Sequence, residues 1–155
     1  MTVEERSAIR REVRVGARPE TIFALLTDPA KYVRWKGAVA TLDPRPGGVY
    51  RVQFNSRDIA RGTYVEVVPF RRVIFTWGWE GGKEGTSPVP PGSSTVEITL
   101  TPDGDGTIVR LVHRDLPEEA RDKHMQGWEL YLNRLAITAS GGDPGPDPNQ
   151  EAGKM

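Results

Sequence analysis

Few residues in this chain can do acid–base or ligand chemistry. The two histidines are the only side chains whose ordinary pKa lies near neutrality. His113 ends a run in which Val109, Leu111 and His113 share one face, opposite Arg110 and Arg114, so by strand period it points inward. Such a residue is either a core histidine bonded to a neighbour or a polar anchor, or proton donor, inside a pocket. His124 stands in the first turns of the longest helical stretch, either as a partly exposed helix residue or at a pocket mouth. These two do not make a metal site, because zinc requires at least three protein ligands and no third stands at a recognisable spacing. No metal and no cofactor is expected. With no cysteine, disulfides, thiolate zinc sites and cysteine nucleophiles are excluded. Arg11 is the polar member of a face otherwise formed by Ile9, Val13 and Val15. A buried guanidinium must find solvent or a partner, so Arg11 either pairs with a glutamate or holds a ligand carboxylate or phenolate in a bidentate fork. Gly47-Gly48 is a turn rather than a phosphate loop, since no helix follows it.

These residues need elements to position them. Residues 9–15 alternate with period two and form a strand, broken by Gly16. Pro19 suits the first position of a short helix with Ile22, Phe23, Leu25 and Leu26 on its apolar face, and Asp28-Pro29 caps and starts a second one. Residues 49–55, 59–68, 73–79, 95–101 and 107–114 then alternate as strands, with a hairpin turn at 102–106 and a Gly/Pro/Ser-rich loop over 80–94. The chain's organising helix follows over 121–138. Its apolar stripe is Met125, Trp128, Leu132, Leu135 and Ala136, with His124 and Tyr131 at one margin and Leu130 and Ile137 on the opposite side, where a loop or dimer contact is open. Strands in series imply an antiparallel sheet with one apolar face, and the long helix is the partner large enough to cover it. The class is therefore α+β: a curved antiparallel sheet of about seven strands wrapped around a long C-terminal helix, with two short helices after the first strand. Residues 1–6 read as an N-terminal extension, 7–138 as the domain, and 139–155 as a disordered tail, because Gly/Pro-rich sequence buries too little surface to order itself.

The 155 residues carry 21 basic and 21 acidic side chains. Interspersed charge of zero net value offers no field for nucleic acid, and no apolar run reaches the length of a membrane span. Without a signal-peptide core, a cytoplasmic location is expected.

In order and spacing, Arg11-Glu12-Val13, residues 19–29, Tyr32 to Trp35, Pro46-Gly47-Gly48, residues 62–69, residues 73–77, residues 95–100, residues 107–113 and Gly127-Trp128 with Leu132 and Leu135 resemble the START-like, helix-grip superfamily (SRPBCC). Within it, they resemble the heat shock protein 90 ATPase activator homologue-like proteins of bacteria. The resemblance implies a helix-grip fold with an apolar pocket between sheet and long helix, occupied in such proteins by lipids, steroids, polyketides or plant hormones. The phases of the aromatic residues place Tyr50, Phe54, Phe75, Trp77, Trp79 and Trp128 where sheet meets helix, as core or cavity wall. Together with Val109, Leu111, His113, His124, Tyr131 and Leu132 they are the cavity candidates, with Arg11 as a polar anchor. The expected function is enclosure of a small apolar or amphipathic molecule by a monomer or homodimer. A cyclase- or dehydratase-type enzyme using His113 with Tyr50 or Tyr131 is the alternative, and a co-chaperone role is the third.

Overall fold

The computed structural model describes residues 8–80 and 89–151. The expected N-terminal extension and the centre of the expected 80–94 loop lie outside the described residues. Strand β1 (Ile9–Val15) leads through helix α1 (Pro19–Thr27) into the single turn of α2 (Pro29–Tyr32). Asp28 accepts a hydrogen bond from Ala30 N–H at 2.9 Å and Pro29 occupies the first helical turn, so α2 starts where its capping residues dictate.

Six strands follow: β2 (Val39–Leu42), β3 (Val49–Gln53), β4 (Ile59–Val68), β5 (Arg72–Trp77), β6 (Ser94–Asp103) and β7 (Gly106–Arg114). They form one antiparallel seven-stranded sheet in the order β1-β7-β6-β5-β4-β3-β2. β2 is the strand that apolar alternation does not single out: it is four residues long and only half-buried, at the sheet edge. The curvature has local causes. Register shifts between Tyr64 and Glu66, and β4 approaches β5 so closely that a Cβ on Gly62 would meet the Thr76 carbonyl oxygen at 1.7 Å. Only glycine fits there.

The long helix α3 (Arg121–Ala139), entered through a 3-10 turn at Glu118–Ala120, lies along β1 and against α1. Trp128, Leu132 and Leu135 are buried, each worth about 1.5–3 kcal/mol of apolar transfer. The buried arc is turned away from the apolar stripe toward His124, Tyr131, Arg134 and Thr138, while Met125 and Ala136 remain half-exposed. Among the described residues no helix is long and apolar enough to cross a membrane.

Of the expected tail over 139–155, residues 152–155 lie outside the described residues and Ala139 ends α3. Residues 140–151 cross α3 as a strap that ends in a helical turn, α4 (Pro148–Glu151). The composition argument holds in that the strap buries little apolar surface, but polar bonds hold it instead. Buried Arg134 donates from Nη1 to the Pro144 and Pro146 carbonyls at 3.2 and 3.1 Å, and from Nε to the Trp35 carbonyl at 2.8 Å. The Asn149 carbonyl accepts from Asn55 Nδ2 at 2.7 Å.

Candidate ligand-binding cavity

Between the end of the sheet and the first half of α3 lies a cavity of about 420 Å³, within the range of about 300–1,000 Å³ typical of small-molecule sites. Phe54, Trp77 and Trp79 form the sheet-side wall. Lys123, His124, Gln126, Gly127, Trp128, Leu130 and Tyr131 line it from α3, Lys36 from the segment after α2, and Asn149 from the strap. A Cβ on Gly127 would touch nothing within 4 Å, so the helix backbone here faces open space.

The aromatic wall is held by hydrogen bonds that also fix both histidines. Trp128 Nε1–H donates to His113 Nδ1 at 2.9 Å, so the His113 proton sits on Nε2 and points at Ser94 Oγ, 2.9 Å away. Ser94 in turn donates to the Trp77 carbonyl at 2.7 Å. Trp79 Nε1–H donates to His124 Nε2 at 3.0 Å, while Nδ1 of the same ring gives its proton to the Ala120 carbonyl at 2.7 Å. Both rings are thus neutral tautomers chosen by their partners. Burial, then the neighbouring His124 and Lys36, hold the His113 pKa well below its ordinary value.

Lys36 is different. Its side chain is only 3% exposed, with Nζ 3.9 Å from the Trp128 ring centroid, 5.3 Å from Tyr131 and 5.9 Å from both Trp35 and Phe54. Among the described residues it makes no hydrogen bond and no ion pair. Desolvation lowers its pKa to about 7, against the opposing pull of Asp147. That buried carboxylate is already engaged: it accepts from Tyr131 Oη at 2.8 and 3.0 Å, from Gly37 N–H at 2.8 Å and from Asn149 N–H at 2.8 Å. Burial raises the Tyr131 pKa, which keeps the phenol a donor to Asp147, and Asn149 Nδ2 donates to its oxygen at 2.8 Å.

The model of the family described as Activator of Hsp90 ATPase homolog 1-like protein matches residues 16–140. The chain belongs to this family. A solution structure of an AHSA1-like protein from Rhizobium etli is 46% identical, covers 91% of this chain and 86% of its own, and superposes with a TM-score of 0.71. The solution structure of CalU16 from Micromonospora echinospora is 30% identical over 93% of this chain and 71% of its own, with a TM-score of 0.72. An HSP90 activator from Plasmodium falciparum, 18% identical over 84% of this chain and 94% of its own with a TM-score of 0.69, shares the fold. No curated protein matches the chain. The helix-grip architecture expected from the resemblance is the one these AHSA1-like neighbours share.

Of the residues singled out in the sequence, Phe54, Trp77, Trp79, His124, Trp128 and Tyr131 border the cavity. Tyr50, Phe75, Val109, Leu111, His113 and Leu132 do not; they are packed into the core behind it. Tyr50 stacks on Phe75 with ring centroids 4.1 Å apart and its hydroxyl meets that of Tyr32 at 2.5 Å. His113, fully buried, supports Trp128 from behind and has no free nitrogen. Arg11 lies outside, forking onto Glu129 Oε1 at 3.1 and 2.9 Å in a half-exposed ion pair. Leu130 lines the cavity. Lys36, Gly127 and Asn149 were not anticipated. A mid-helix glycine carries a cost of about 1 kcal/mol and is a signal in itself. Nothing local marks Lys36 beyond the adjacent Trp35; the other three rings of its cage, Phe54, Trp128 and Tyr131, are distant in sequence. Among the described residues no group of side chains can hold a metal ion.

Proposed function

We propose that this protein is a binding module that encloses a small apolar or amphipathic molecule between the sheet and α3. The observation that carries this reading is the cavity of about 420 Å³ walled by Phe54, Trp77, Trp79, Trp128 and the bare backbone of Gly127. Binding is supported over catalysis because general acid–base work needs two side chains converging on one substrate. His124 and Tyr131 spend their polar atoms on Ala120, Trp79, Asp147 and Asn149, and His113 does not border the cavity. The cyclase-type alternative through His113 therefore has no supporting contact. A co-chaperone role rests on the family description and a shared fold, without a surface that argues for it. The test is native mass spectrometry and thermal shift against a panel of aromatic and lipidic compounds, on the wild type and on Gly127→Leu, whose side chain starts from a Cβ that meets nothing within 4 Å. Binding by the wild type that Gly127→Leu abolishes supports enclosure. Binding unchanged by Gly127→Leu, or none across the panel, overturns it.

A further inference from the structure

The cavity's charge inventory is one-sided. Lys36 and Lys123 are the charged side chains among its described lining residues, and both are cationic; none of that lining is acidic. Lys123 is exposed at the rim, but Lys36 is enclosed. Asp147, the carboxylate whose charge acts on Lys36, forms no ion pair with it and already serves Tyr131, Gly37 and Asn149. The ring faces of Trp128 and Tyr131 attract the ammonium's charge, but they give its three N–H donors no lone-pair acceptor. A buried cation whose donors find no acceptor among the described residues, at the edge of an aromatic-walled cavity, is an incomplete pair.

We infer that the cavity selects amphipathic monoanions: a carboxylate on an aromatic or aliphatic body, with the carboxylate on Lys36 Nζ and the body against Phe54, Trp77 and Trp79. This rests on the enclosure proposed above and adds the ligand's charge to it. A carboxylate completes the pair through charge-assisted hydrogen bonds. A neutral ligand of the same shape leaves the ammonium unpaired, and a cationic one meets two lysines of its own sign. A single enclosed ammonium matches a single negative charge, with Lys123 at the rim favouring the anion's approach.

Two matched pairs of probes test this: naphthoate against naphthamide, and phenylbutyrate against phenylbutyramide. Affinity is read by calorimetry and tryptophan quenching about one pH unit below the Lys36 midpoint of about 7. Wild-type protein is expected to bind the carboxylate about ten-fold or more tightly than its amide, as a charge-assisted bond to an enclosed group implies. Lys36→Met should erase that preference while leaving amide affinity in place, and Gly127→Leu should abolish both. Equal affinity for acid and amide in the wild type, or a preference that survives Lys36→Met, overturns the charge selectivity and leaves enclosure standing. No binding of any probe by wild-type protein counts against both. Circular dichroism and the unfolding midpoint show whether each variant is folded.

Discussion

Replacing Lys36 by methionine should make this protein more stable at neutral pH, even though it removes a well-packed side chain. An unfolded lysine titrates near 10.5, and the folded chain lowers the Lys36 value to about 7. A depressed lysine leaves stability intact above the unfolded value and loses it as pH falls toward the folded one, below which the deficit is constant. The gap is about 3.5 units at about 1.4 kcal/mol each, so the charged ammonium costs about 4–5 kcal/mol at pH 7 relative to a neutral side chain of the same shape. Methionine keeps the length and apolar stem without the charge. It forfeits cation–π attraction to Trp128, worth about 2 kcal/mol when desolvated, and leaves Asp147 without its neighbouring cation. The net gain is about 2–3 kcal/mol at pH 7, shrinking toward zero near pH 10.5. The Lys36 charge helps to hold the His113 pKa down and is favoured by Asp147, so the variant-minus-wild-type difference carries Lys36 together with its coupling to these two neighbours. Urea unfolding followed by tryptophan fluorescence measures it, with the midpoint rising by about 1–2 M at pH 7 for an m-value near 2 kcal/mol/M. A variant less stable than wild type at pH 7, or an equal gain at pH 7 and pH 10, would refute the reasoning.

Three further outcomes follow from the same contacts. Gly127→Ala should raise stability by about 1 kcal/mol through helix propensity alone, since the new methyl meets open space; a loss in thermal or urea unfolding would mean that the helix backbone is not bare there. His113 stays neutral when folded, so its own contribution to stability should be intact above about pH 6.5 and fall below it by up to about 1.4 kcal/mol per pH unit. His113→Gln should flatten that acid limb while lowering stability at neutral pH, and an unchanged limb would place the titration elsewhere. Asp147→Ala strands the Tyr131 hydroxyl and the Gly37 N–H, costing about 2–4 kcal/mol in total. It should also speed hydrogen exchange across residues 140–151, and protection equal to wild type would show that the bonds of Arg134, Asn55 and Asn149 hold the strap without Asp147.

The fold was readable because it is written in periods. Val96, Ile98 and Leu100 on one strand and Val109, Leu111 and His113 on the next declare a common buried face, and the register pairs Val96 with His113 and Ile98 with Leu111. Asp28-Pro29 and Gly104 mark a helix start and a hairpin turn by local backbone chemistry alone. The cavity is another matter. Trp77 and His113 both belong to that inward-facing set, yet one borders the space and the other lies behind it, because sheet curvature decides which inward residue meets a gap. The strap is hard to read for a related reason: composition reports how much apolar surface a segment buries, and this one is held by polar bonds of Arg134 and Asp147 that reach Trp35 and Gly37 as well as nearer residues.

The distribution of satisfied polar groups separates architecture from function here. His113, His124, Arg134 and Asp147 are all buried, and each has its donors or acceptors matched by named neighbours. They do structural work: His113 sets the plane of Trp128, His124 that of Trp79, and Arg134 with Asp147 binds the strap over the helix. Removing the partner of any one of them should be read as a stability change. Lys36 is buried in the same shell, beside the same tryptophan, and has no such match among the described residues. A buried charge is retained against its desolvation either because it specifies the fold or because something else completes it. With four aromatic rings around it and an open cavity beside it, its side chain contributes little that a methionine would not. The unmatched ammonium is therefore where ligand and protein should meet.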